Sequence, residues 1–382
     1  MAAYLSFKEI WRNKGRYLLF SLVIALITVL VLFTAGLGEG LASANKEYLE
    51  KINADLLVFQ EDTGFSTLES RLEYNTLKQV RRWEGVADVG AIGFSNVTIL
   101  FKNGAEPVEV SLIGVEPGKP GAPPAFEGEA LRSKQSKTTV IDGRIAEQAN
   151  VQVGDTIIVK TTQGAEDEFY ELKVSGITDG RQYFFQPSVF VPLEIWDEIR
   201  PKADTNTNAA PLLPNILAIQ LQNPDAKVEM GHYLESRVDG IETADIKTTY
   251  EAAPGYAEQQ STLNTMKGFT FLIGVLVIGG FFQIQTLQKV AQIGMLKAIG
   301  TSNHSVANAA IFQIIFVTIF GVAIGGAATL GMAFGLPSGV PIVFTGTAVL
   351  IAVIALLLIG PIGGLVSIRM ALKVEPLRAL GM

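Results

Sequence analysis

The side chains that most often perform nucleophilic or metal chemistry are scarce in this chain. Cysteine is absent, and the 382 residues include 2 histidines, His232 and His304. A Ser/His/Asp triad, a Cys/His pair or a clustered metal site cannot be assembled from so few of these residues. The ATP-binding pattern G-x-x-x-x-G-K-[ST] also fails at its nearest match, because Ile113 and Pro120 occupy required positions around Lys119. The sequence therefore predicts a chain that is not an enzyme by itself.

One carboxylate stands in an unusual place. Residues 17–38 carry no charged side chain, and the run is long enough to supply the ~20 apolar residues that cross a bilayer. Glu39 follows directly. A carboxylate there is costly unless it is paired or used, so Glu39 is a candidate binding residue. The alternative is that Glu39 lies at the membrane interface with its carboxylate in water. The flanking Gly36, Gly38 and Gly40 would let two helices approach closely.

A second feature is a short amphipathic stretch, residues 289–306, which separates two further apolar runs. It should lie at a membrane face and contact something there. Ile293, Leu296 and Gly300 share one helical face, while Gly294 permits a close approach and Gly300 would end the helix. The stretch is therefore a candidate docking surface, and the alternative is a connector that lies on the membrane surface.

The elements that must position these residues are membrane spans. Beyond the first run, uncharged residues continue over 268–288 and 298–368. The last run is too long for one span, and turn formers at 335–341 would break it into a helical hairpin. Four spans result, in a one-plus-three arrangement. A cleaved signal peptide is the alternative for the first run, but that run exceeds the usual ~7–15 apolar residues and lacks a good cleavage site.

Lysine and arginine indicate the orientation of the spans. They cluster before the first span, between the second and third, and after the fourth: Lys8, Arg12, Lys14, Arg16, Lys289, Lys297, Arg369, Lys373 and Arg378. All of these positions then fall on the cytoplasmic side. The sequence predicts a multi-pass protein of the plasma membrane with both termini in the cytoplasm.

Most of the charge lies between the first and second spans. The chain has 37 acidic and 30 basic residues, a net charge of −7, and nearly all the acidic ones fall between Glu39 and Glu258. The acidic balance argues against nucleic acid as a partner. By topology the block is extracytoplasmic, and without cysteine its stability must come from its own core. The predicted fold class is an α-helical membrane protein with four transmembrane helices and an α+β extracytoplasmic domain on a helical stalk.

Hydrophobic alternation and turn residues predict the elements of this domain. The predicted strands are 55–60, 96–101, 107–113, 139–142, 151–159, 172–177, 189–191 and 216–221, and the predicted helices are 66–83, 143–149 and 228–237. Residues 117–128, rich in proline and glycine, are predicted as a surface loop. Polar, helix-prone residues 41–52 and 257–266 are predicted to continue the spans outwards as a solvated stalk.

The whole chain then divides into segments with distinct roles. These are a cytoplasmic amphipathic helix at 1–16, the first transmembrane helix at 17–41, a stalk helix at 42–53, the extracytoplasmic domain at 54–254, a second stalk helix at 255–267, the second transmembrane helix at 268–289, a cytoplasmic helix at 290–303, the third and fourth transmembrane helices at 304–334 and 342–368, and a cytoplasmic tail at 369–382.

With this layout the chain resembles a known family. The one-plus-three spans, the large domain after the first span and the motif Gln292-Ile-Gly-Met-Leu-Lys-Ala-Ile-Gly300 are similar to the permease subunits of FtsX/MacB-type ABC transporters. Glu-Ile-Gly-x-Leu-Lys-Ala-Ile-Gly is typical there, so Gln292 replaces the usual glutamate. Residues 374–380 match the family's closing Pro-x-x-Ala-Leu pattern, and residues 139–159 resemble its external core domain.

The resemblance implies partners and a mechanism. Such permeases act as homodimers with two copies of a separate ATPase, which holds the ATP and Mg, so this chain itself would bind no cofactor. It implies that the cytoplasmic helix is a coupling helix that contacts the ATPase through Gln292, Ile293, Gly294, Leu296, Lys297, Ala298, Ile299 and Gly300. It further implies that Gly36, Gly38 and Gly40 pack between the two copies.

In overall layout the chain is most similar to the haem-efflux permeases of Gram-positive bacteria. This implies export of haem, or of another hydrophobic substrate, from the lipid bilayer. Haem iron would need a ligand, and the donors near the outer ends of the first two spans are Glu39, Tyr48, Tyr256, Glu258 and Met266. Glu39 is the first choice, and no other metal site is predicted. For each donor the alternative is an ordinary stalk or interface residue.

Two alternative functions share this architecture. The permease could transmit ATPase motion to an extracytoplasmic partner such as a cell-wall hydrolase, or it could serve lipoprotein, drug or peptide export.

Overall fold

The computed structural model describes residues 11–202, 212–335 and 342–373. The chain divides into two compact units. Met1–Leu41 and Glu258–Met382 form the first, which we call the membrane unit, and Ala42–Ala257 form the second, the inter-span domain. Each unit has a hydrophobic core of its own.

The helices in chain order are α1 (Lys14–Glu50), α2 (Tyr74–Val80), α3 (Gly143–Ala149), α4 (Leu193–Ile199), α5 (Lys227–Glu235), α6 (Ile246–Glu251), α7 (Tyr256–Gln288), α8 (Val290–Ala298), α9 (Asn303–Gly335) and α10 (Gly346–Lys373). The strands are β1 (Leu56–Gln60), β2 (Val86–Phe101), β3 (Val108–Val115), β4 (Glu127–Gly128), β5 (Thr138–Asp142), β6 (Thr156–Gln163), β7 (Glu166–Thr178), β8 (Ser188–Pro192), β9 (Ile216–Leu221) and β10 (Ile241–Ala244).

Four helices of the described chain, α1, α7, α9 and α10, are long and apolar enough to cross a membrane. This confirms the predicted one-plus-three spans. The predicted turn between the last two spans falls on residues 336–341, which lie outside the described residues. So do residues 1–10 of the predicted N-terminal helix and the closing motif at 374–380.

Glycines bring the spans of the membrane unit into close contact. A Cβ at Gly321 or Gly325 of α9 would collide with Ile24 or Thr28 of α1, and one at Gly279 of α7 would lie 2.8 Å from the carbonyl oxygen of Gly363 in α10. Small residues permit such approaches where lipid supplies no hydrophobic drive for helix association.

The inter-span domain is built on one ten-stranded sheet, which is mostly antiparallel. Strands β2, β3, β8, β5, β7 and β6 form a closed ring, since β6 pairs with both β7 and β2. The long β2 makes this closure possible, because it pairs with β9 near its start and with β6 near its end. Beyond β9 the sheet continues through β1 to β10. The domain is α+β, as predicted.

Glycines also decide how a helix packs on this sheet. Gly93 of β2 and Gly114 of β3 are paired neighbours, and a Cβ at either would overlap the Trp196 side chain of α4. Trp196 is fully buried, and its indole nitrogen donates a hydrogen bond to Ser95 Oγ at 3.0 Å. The two glycines therefore leave the space in which Trp196 of α4 packs against the sheet.

Each predicted strand overlaps an observed one, and α3 occupies its predicted bounds. The predicted helix at 66–83 is wrong over its first half, because only α2 is helical there. Ser70 is buried and its hydroxyl donates to the Asn215 carbonyl at 2.6 Å, while the Leu72 amide donates to the Pro214 carbonyl at 2.9 Å. These tertiary hydrogen bonds hold the segment in a nonhelical course. Helices α4 and α6 and strands β4 and β10 were not predicted.

The expected stalk segments are helical, since α1 runs on to Glu50 and α7 starts at Tyr256. The expectation that residues 41–52 are solvated is wrong. Tyr48, Leu49 and Ile52 are buried in the core of the inter-span domain. Tyr48 and Leu49 belong to the last turn of α1, and Ile52 lies just beyond its end.

Candidate functional site

Glu39 lines a cavity in the membrane unit. The cavity is bounded by α1, α7 and α10 and has a volume of about 500 Å³, within the ~300–1,000 Å³ range of small-molecule sites. Its walls are mainly apolar and include Phe271, Ile351 and Leu356. Lys267 of α7 also lines it, and sequence reasoning missed this residue. We call this space the Glu39 cavity.

The two helices bring opposite charges to one place for a reason that the sequence contains. The first span leaves its apolar run at Glu39, and α7 enters its own run immediately after Lys267. Glu39 is half-buried and Lys267 is exposed in the single chain. Within the part of the chain that the structure describes, neither side chain has an ion pair or a hydrogen bond. Both charges are therefore available to a bound molecule.

Met266 lines a different, neighbouring cavity. This second space has a volume of about 460 Å³ and lies between α1 and α7, with Leu30 and Phe269 in its wall. Thr34 and Thr270 line both cavities. Glu39 and Met266 are thus near one another but do not face one common space.

The other predicted haem donors are not brought to the Glu39 cavity. Tyr48 is fully buried in the inter-span domain, where its hydroxyl donates to the Gly121 carbonyl at 3.0 Å. This burial and the satisfied hydroxyl favour the alternative of a structural residue, and a role in substrate binding stays a prediction. Tyr256 packs its ring against Tyr250, and Glu258 is exposed in the first turn of α7.

The predicted packing glycines face residues of their own chain. A Cβ at Gly36 would collide with Phe344, and the Gly36 carbonyl accepts a hydrogen bond from the Val343 amide at 3.0 Å. Gly38 faces Leu263 of α7, and Gly40 is also buried. Gly36 and Gly38 thus serve close contacts within one copy of the chain, and their predicted packing between two copies stays a prediction.

Helix α8 carries an exposed apolar surface. Met295, Leu296 and Ile299 are exposed, Ile299 by 82%, and Gln292 lies beside them. Ile293 is half-buried and Gly294 is buried. The outward face therefore differs from the predicted face of Ile293, Leu296 and Gly300. Met295 is the exposed residue that sequence reasoning missed. We call Gln292, Met295, Leu296 and Ile299 the α8 surface.

The end of α8 follows the predicted glycine stop. Gly300 has a φ of +96°, a conformation that favours glycine. The Thr301 amide donates to the Leu296 carbonyl and the Gly300 amide to the Lys297 carbonyl, both at 3.0 Å, which is the Schellman arrangement. Lys297 Nζ donates to the Leu372 carbonyl at 2.8 Å, so this lysine fixes α8 to the last turn of α10.

A buried polar cluster holds the start of α8. Tyr17 of α1 donates through its hydroxyl to Gln313 Oε1 at 3.2 Å, and accepts from Gln285 Nε2 at 2.8 Å and from Lys289 Nζ at 3.1 Å. Lys289 also donates to Gln313 Oε1 at 3.1 Å. This Tyr17 cluster joins α1, α7 and α9 at the residue immediately before α8.

A charged cluster surrounds the last turns of α1 in the inter-span domain. Glu47 Oε2 lies 2.9 Å from Arg144 Nη1, which lies 3.5 Å from Asp142 Oδ2. The Arg181 amide donates to the same Asp142 oxygen at 2.6 Å, and its guanidinium to the Lys51 carbonyl at 3.0 Å. Burial raises the pKa of Asp142, although hydrogen bonds from the Arg144 and Arg181 amides oppose the rise. We call this the Asp142 cluster.

Comparison with known families identifies the chain. The model of the MacB-like periplasmic core domain matches residues 17–237, and that of the FtsX-like permease C-terminal region matches residues 264–376. The chain belongs to this family: it is an ABC transporter permease of the FtsX/MacB type and a membrane protein. Membership in a permease family of ABC transporters implies a partner ATPase.

Several relatives are similar over nearly the whole length. A protein of Staphylococcus haemolyticus with the provisional name hemin transport system permease protein HrtB is 26% identical over 379 residues, which is 99% of both chains. A protein of Staphylococcus epidermidis with the same provisional name is 26% identical over 382 residues, again 99% of both. An uncharacterized ABC transporter permease of Mycobacterium tuberculosis is 21% identical over 376 residues, 97% of both.

Two solved structures are similar to part of the chain. The extracellular domain of the noncanonic ABC-type transporter YknZ from Gram-positive bacteria has a TM-score of 0.36 at 12% identity, covering 50% of this chain and 99% of that one. The periplasmic region of MacB from Actinobacillus actinomycetemcomitans has a TM-score of 0.36 at 13% identity, covering 53% and 95%.

Proposed function

We propose that this permease exports a hydrophobic or amphipathic substrate from the membrane, with haem as the leading candidate, using ATP that a separate ATPase hydrolyses. The Glu39 cavity is the observation that carries the proposal. It offers a mainly apolar space between three spans, with two charged side chains in its lining. Such a space suits a molecule that partitions into lipid but carries polar groups. The provisional names of the full-length Staphylococcus relatives favour haem among such molecules.

Glu39 is the residue we assign to the substrate. Its carboxylate is an anionic oxygen donor that could ligate ferric iron or meet another positive centre. A carboxylate at this depth is costly without a partner, and a bound cation would supply that partner. Haem enters here as cargo, and the chain itself holds no resident cofactor in this proposal. Met266, in the neighbouring cavity, is a secondary candidate.

We assign ATPase docking to the α8 surface. Apolar side chains so exposed on a short helix are a common feature of protein interfaces. The Tyr17 cluster at one end and Lys297 at the other fix α8 to α1, α7, α9 and α10. A displacement of α8 by the ATPase would therefore be transmitted to all four spans, α1, α7, α9 and α10. The ATPase, in two copies, would supply the site for ATP and Mg.

The proposal includes an orientation and a dimer. Lysine and arginine near α8 and near both chain ends favour a cytoplasmic position for these segments in the plasma membrane. The inter-span domain is then extracytoplasmic. Exposed apolar residues on α7, such as Leu272 and Leu276, would face lipid or a second copy of the chain. The absence of cysteine makes single-cysteine crosslinking a direct test of both points.

A haemin titration of the purified full-length protein tests the substrate. We expect a saturable, shifted Soret band at about one haem per dimer, and at least about tenfold weaker binding for Glu39→Ala, the loss of one strong interaction. Glu229→Ala is the matched control, because Glu229 is an exposed glutamate of α5 in the inter-span domain, and this variant should bind haemin as the wild type does. A band no different from that of empty micelles would exclude haem as the substrate and leave lipid, peptide or drug as the candidate cargo.

A charge on the α8 surface tests docking. Ile299→Asp should reduce recovery of the ATPase with the permease, because it puts a carboxylate at the most exposed apolar residue of the α8 surface. Asn303→Asp adds the same charge just beyond α8 and should leave recovery unchanged. Equal recovery with both variants would refute docking at this surface.

Mechanical transmission is a second candidate function, and the buried end of α1 favours it. Tyr48 and Leu49, in the last turns of α1, lie in the core of the inter-span domain. A permease that only transmits motion to a partner such as a cell-wall hydrolase would show ATPase coupling without substrate binding. The haemin and docking experiments together separate the two functions.

A further inference from the structure

Lys267 is the charged residue of the Glu39 cavity that the export proposal leaves without a role. A lysine at the edge of an apolar run usually extends its ammonium into water past its apolar stem. Here the lysine also lines a cavity whose other walls are mainly apolar. It lies on α7, whereas Glu39 lies on α1.

Glu39 and Lys267 do not neutralise one another. No nitrogen to oxygen distance of 4.0 Å or less joins them, and neither has another partner in the ranges 11–202, 212–335 and 342–373. Opposite charges in a medium of low dielectric constant attract strongly when they meet. Two opposite charges that line one cavity without forming an ion pair can each bind a different group of the same ligand.

We propose that Lys267 determines the specificity of the Glu39 cavity by binding a carboxylate, so that the cargo is an amphipathic organic acid. Its apolar body would lie against residues such as Phe271, Ile351 and Leu356, its acid group on Lys267, and any positive or metal centre on Glu39. An ammonium offers three donors and no acceptor, which suits a carboxylate. This inference rests on the proposed function and extends it to a substrate class. Haem, with its carboxylates and ferric iron, is one member of that class.

A comparison of haemin with its dimethyl ester tests the inference, because the ester has the same ring and iron but no free carboxylate. The titrations use the full-length protein in detergent, with empty micelles as the blank. The wild type should bind haemin at least about tenfold more tightly than the ester, the worth of one good charged contact. Lys267→Gln should lose that preference while its affinity for the ester stays unchanged. Lys267→Arg should keep the preference.

The matched control is Lys247→Gln, which removes an exposed lysine of the inter-span domain and should preserve the wild-type preference. Equal affinity of the wild type for haemin and ester overturns the role of Lys267 while leaving haem export standing. The same holds if Lys267→Gln weakens both ligands alike, since that result indicates lost packing. Saturable binding of neither porphyrin overturns the haem proposal and this inference together.

Discussion

The Tyr17 cluster and the Asp142 cluster both connect distant segments of the chain, the first in the membrane unit and the second in the inter-span domain. Each joins elements far apart in sequence through buried polar groups. The Tyr17 cluster uses one phenol, two amides and one ammonium between apolar helices. The Asp142 cluster alternates acids and bases, and its outer members Glu47 and Arg144 reach water, whereas Asp142 does not.

The difference follows from the solvent that each unit meets. Inside a membrane no water can satisfy an unpaired polar group, so the spans use mainly neutral groups that fill one another's hydrogen-bonding capacity. In the water-exposed domain, charges are tolerated because water screens their outer members. The strength of each cluster should therefore depend on its most buried member, and substitutions can rank the members.

The largest effect is expected at Asp142. Asp142→Ala leaves the Arg144 and Arg181 amides without their acceptor and removes the carboxylate that pairs with the Arg144 guanidinium. Loss of one partner from a buried charged group costs about 3–5 kcal/mol. The measurement is the free energy of unfolding of the inter-span domain, from urea titration of the full-length protein.

Asp142→Asn is the control for this substitution, since it keeps one acceptor oxygen in nearly the same volume. It should lose clearly less stability than Asp142→Ala. Equal losses for the two variants would mean that packing, and not hydrogen bonding, explains the effect.

A smaller effect is expected in the membrane unit. Tyr17→Phe removes a hydroxyl that has three partners, Gln285, Lys289 and Gln313. Hydrogen bonds between membrane helices average only ~0.6 kcal/mol with a maximum near ~1.7 kcal/mol, because the unfolded helices find other partners. We therefore expect a loss of about 1–2 kcal/mol in detergent-induced unfolding. A double-mutant cycle with Gln313→Leu should give a coupling energy in the same direction, and strictly additive losses would argue against a cooperative cluster.

The half-exposed edge of the Asp142 cluster should matter least for stability. Glu47→Gln removes the charge that pairs with Arg144 and Lys51, whose side chains are 41% and 34% exposed. Exposed ion pairs typically contribute ~0.2–1 kcal/mol, so urea unfolding should shift by about 0.5 kcal/mol. The shift should shrink further in high salt because of screening. A loss comparable with that of Asp142→Ala would contradict the ranking by burial.

The comparison also explains what could be predicted from the sequence. The spans were predictable because lipid thickness imposes a length on any uncharged run, as residues 17–38 and 268–288 illustrate. Helix α3 was predictable from local residues, and Asp142 caps it by accepting from the Arg144 amide at 2.8 Å. Both signals lie within short stretches of the chain.

Features that depend on distant residues were not predictable. The first half of β2 contains Gly90 and Gly93, which argue against a strand until the neighbouring Pro120 carbonyl and Trp196 are known. Tyr48 looks like an exposed stalk residue until its core partners are known. Lys267 looks like an ordinary interface lysine until α1 places Glu39 in the same cavity. In each case the missing information is a tertiary contact.

The final prediction compares how the stability contributions of Asp142 and of Asp245, the capping residue of α6, depend on pH. Burial raises the pKa of Asp142, whereas a hydrogen bond from the Thr248 amide, followed by the Lys227 ion pair, lowers the pKa of Asp245 to about 2. A raised acid pKa gives a stability contribution that is present below the unfolded pKa, near ~3.9, and lost as pH rises through the folded pKa. A lowered one gives a contribution that is present above the unfolded pKa and lost as pH falls towards about 2.

The two residues should therefore give opposite slopes. The unfolding free energy of the wild type minus that of Asp142→Asn should increase as pH falls from neutral towards the unfolded pKa of aspartate. The corresponding difference for Asp245→Asn should decrease as pH falls from the unfolded pKa towards about 2. Because each variant is compared with the wild type at the same pH, the titration of all other carboxylates cancels when the sites are independent. Slopes of the same sign would mean that the buried carboxylate of Asp142 is stabilised by its two amide donors and arginine more than it is destabilised by burial.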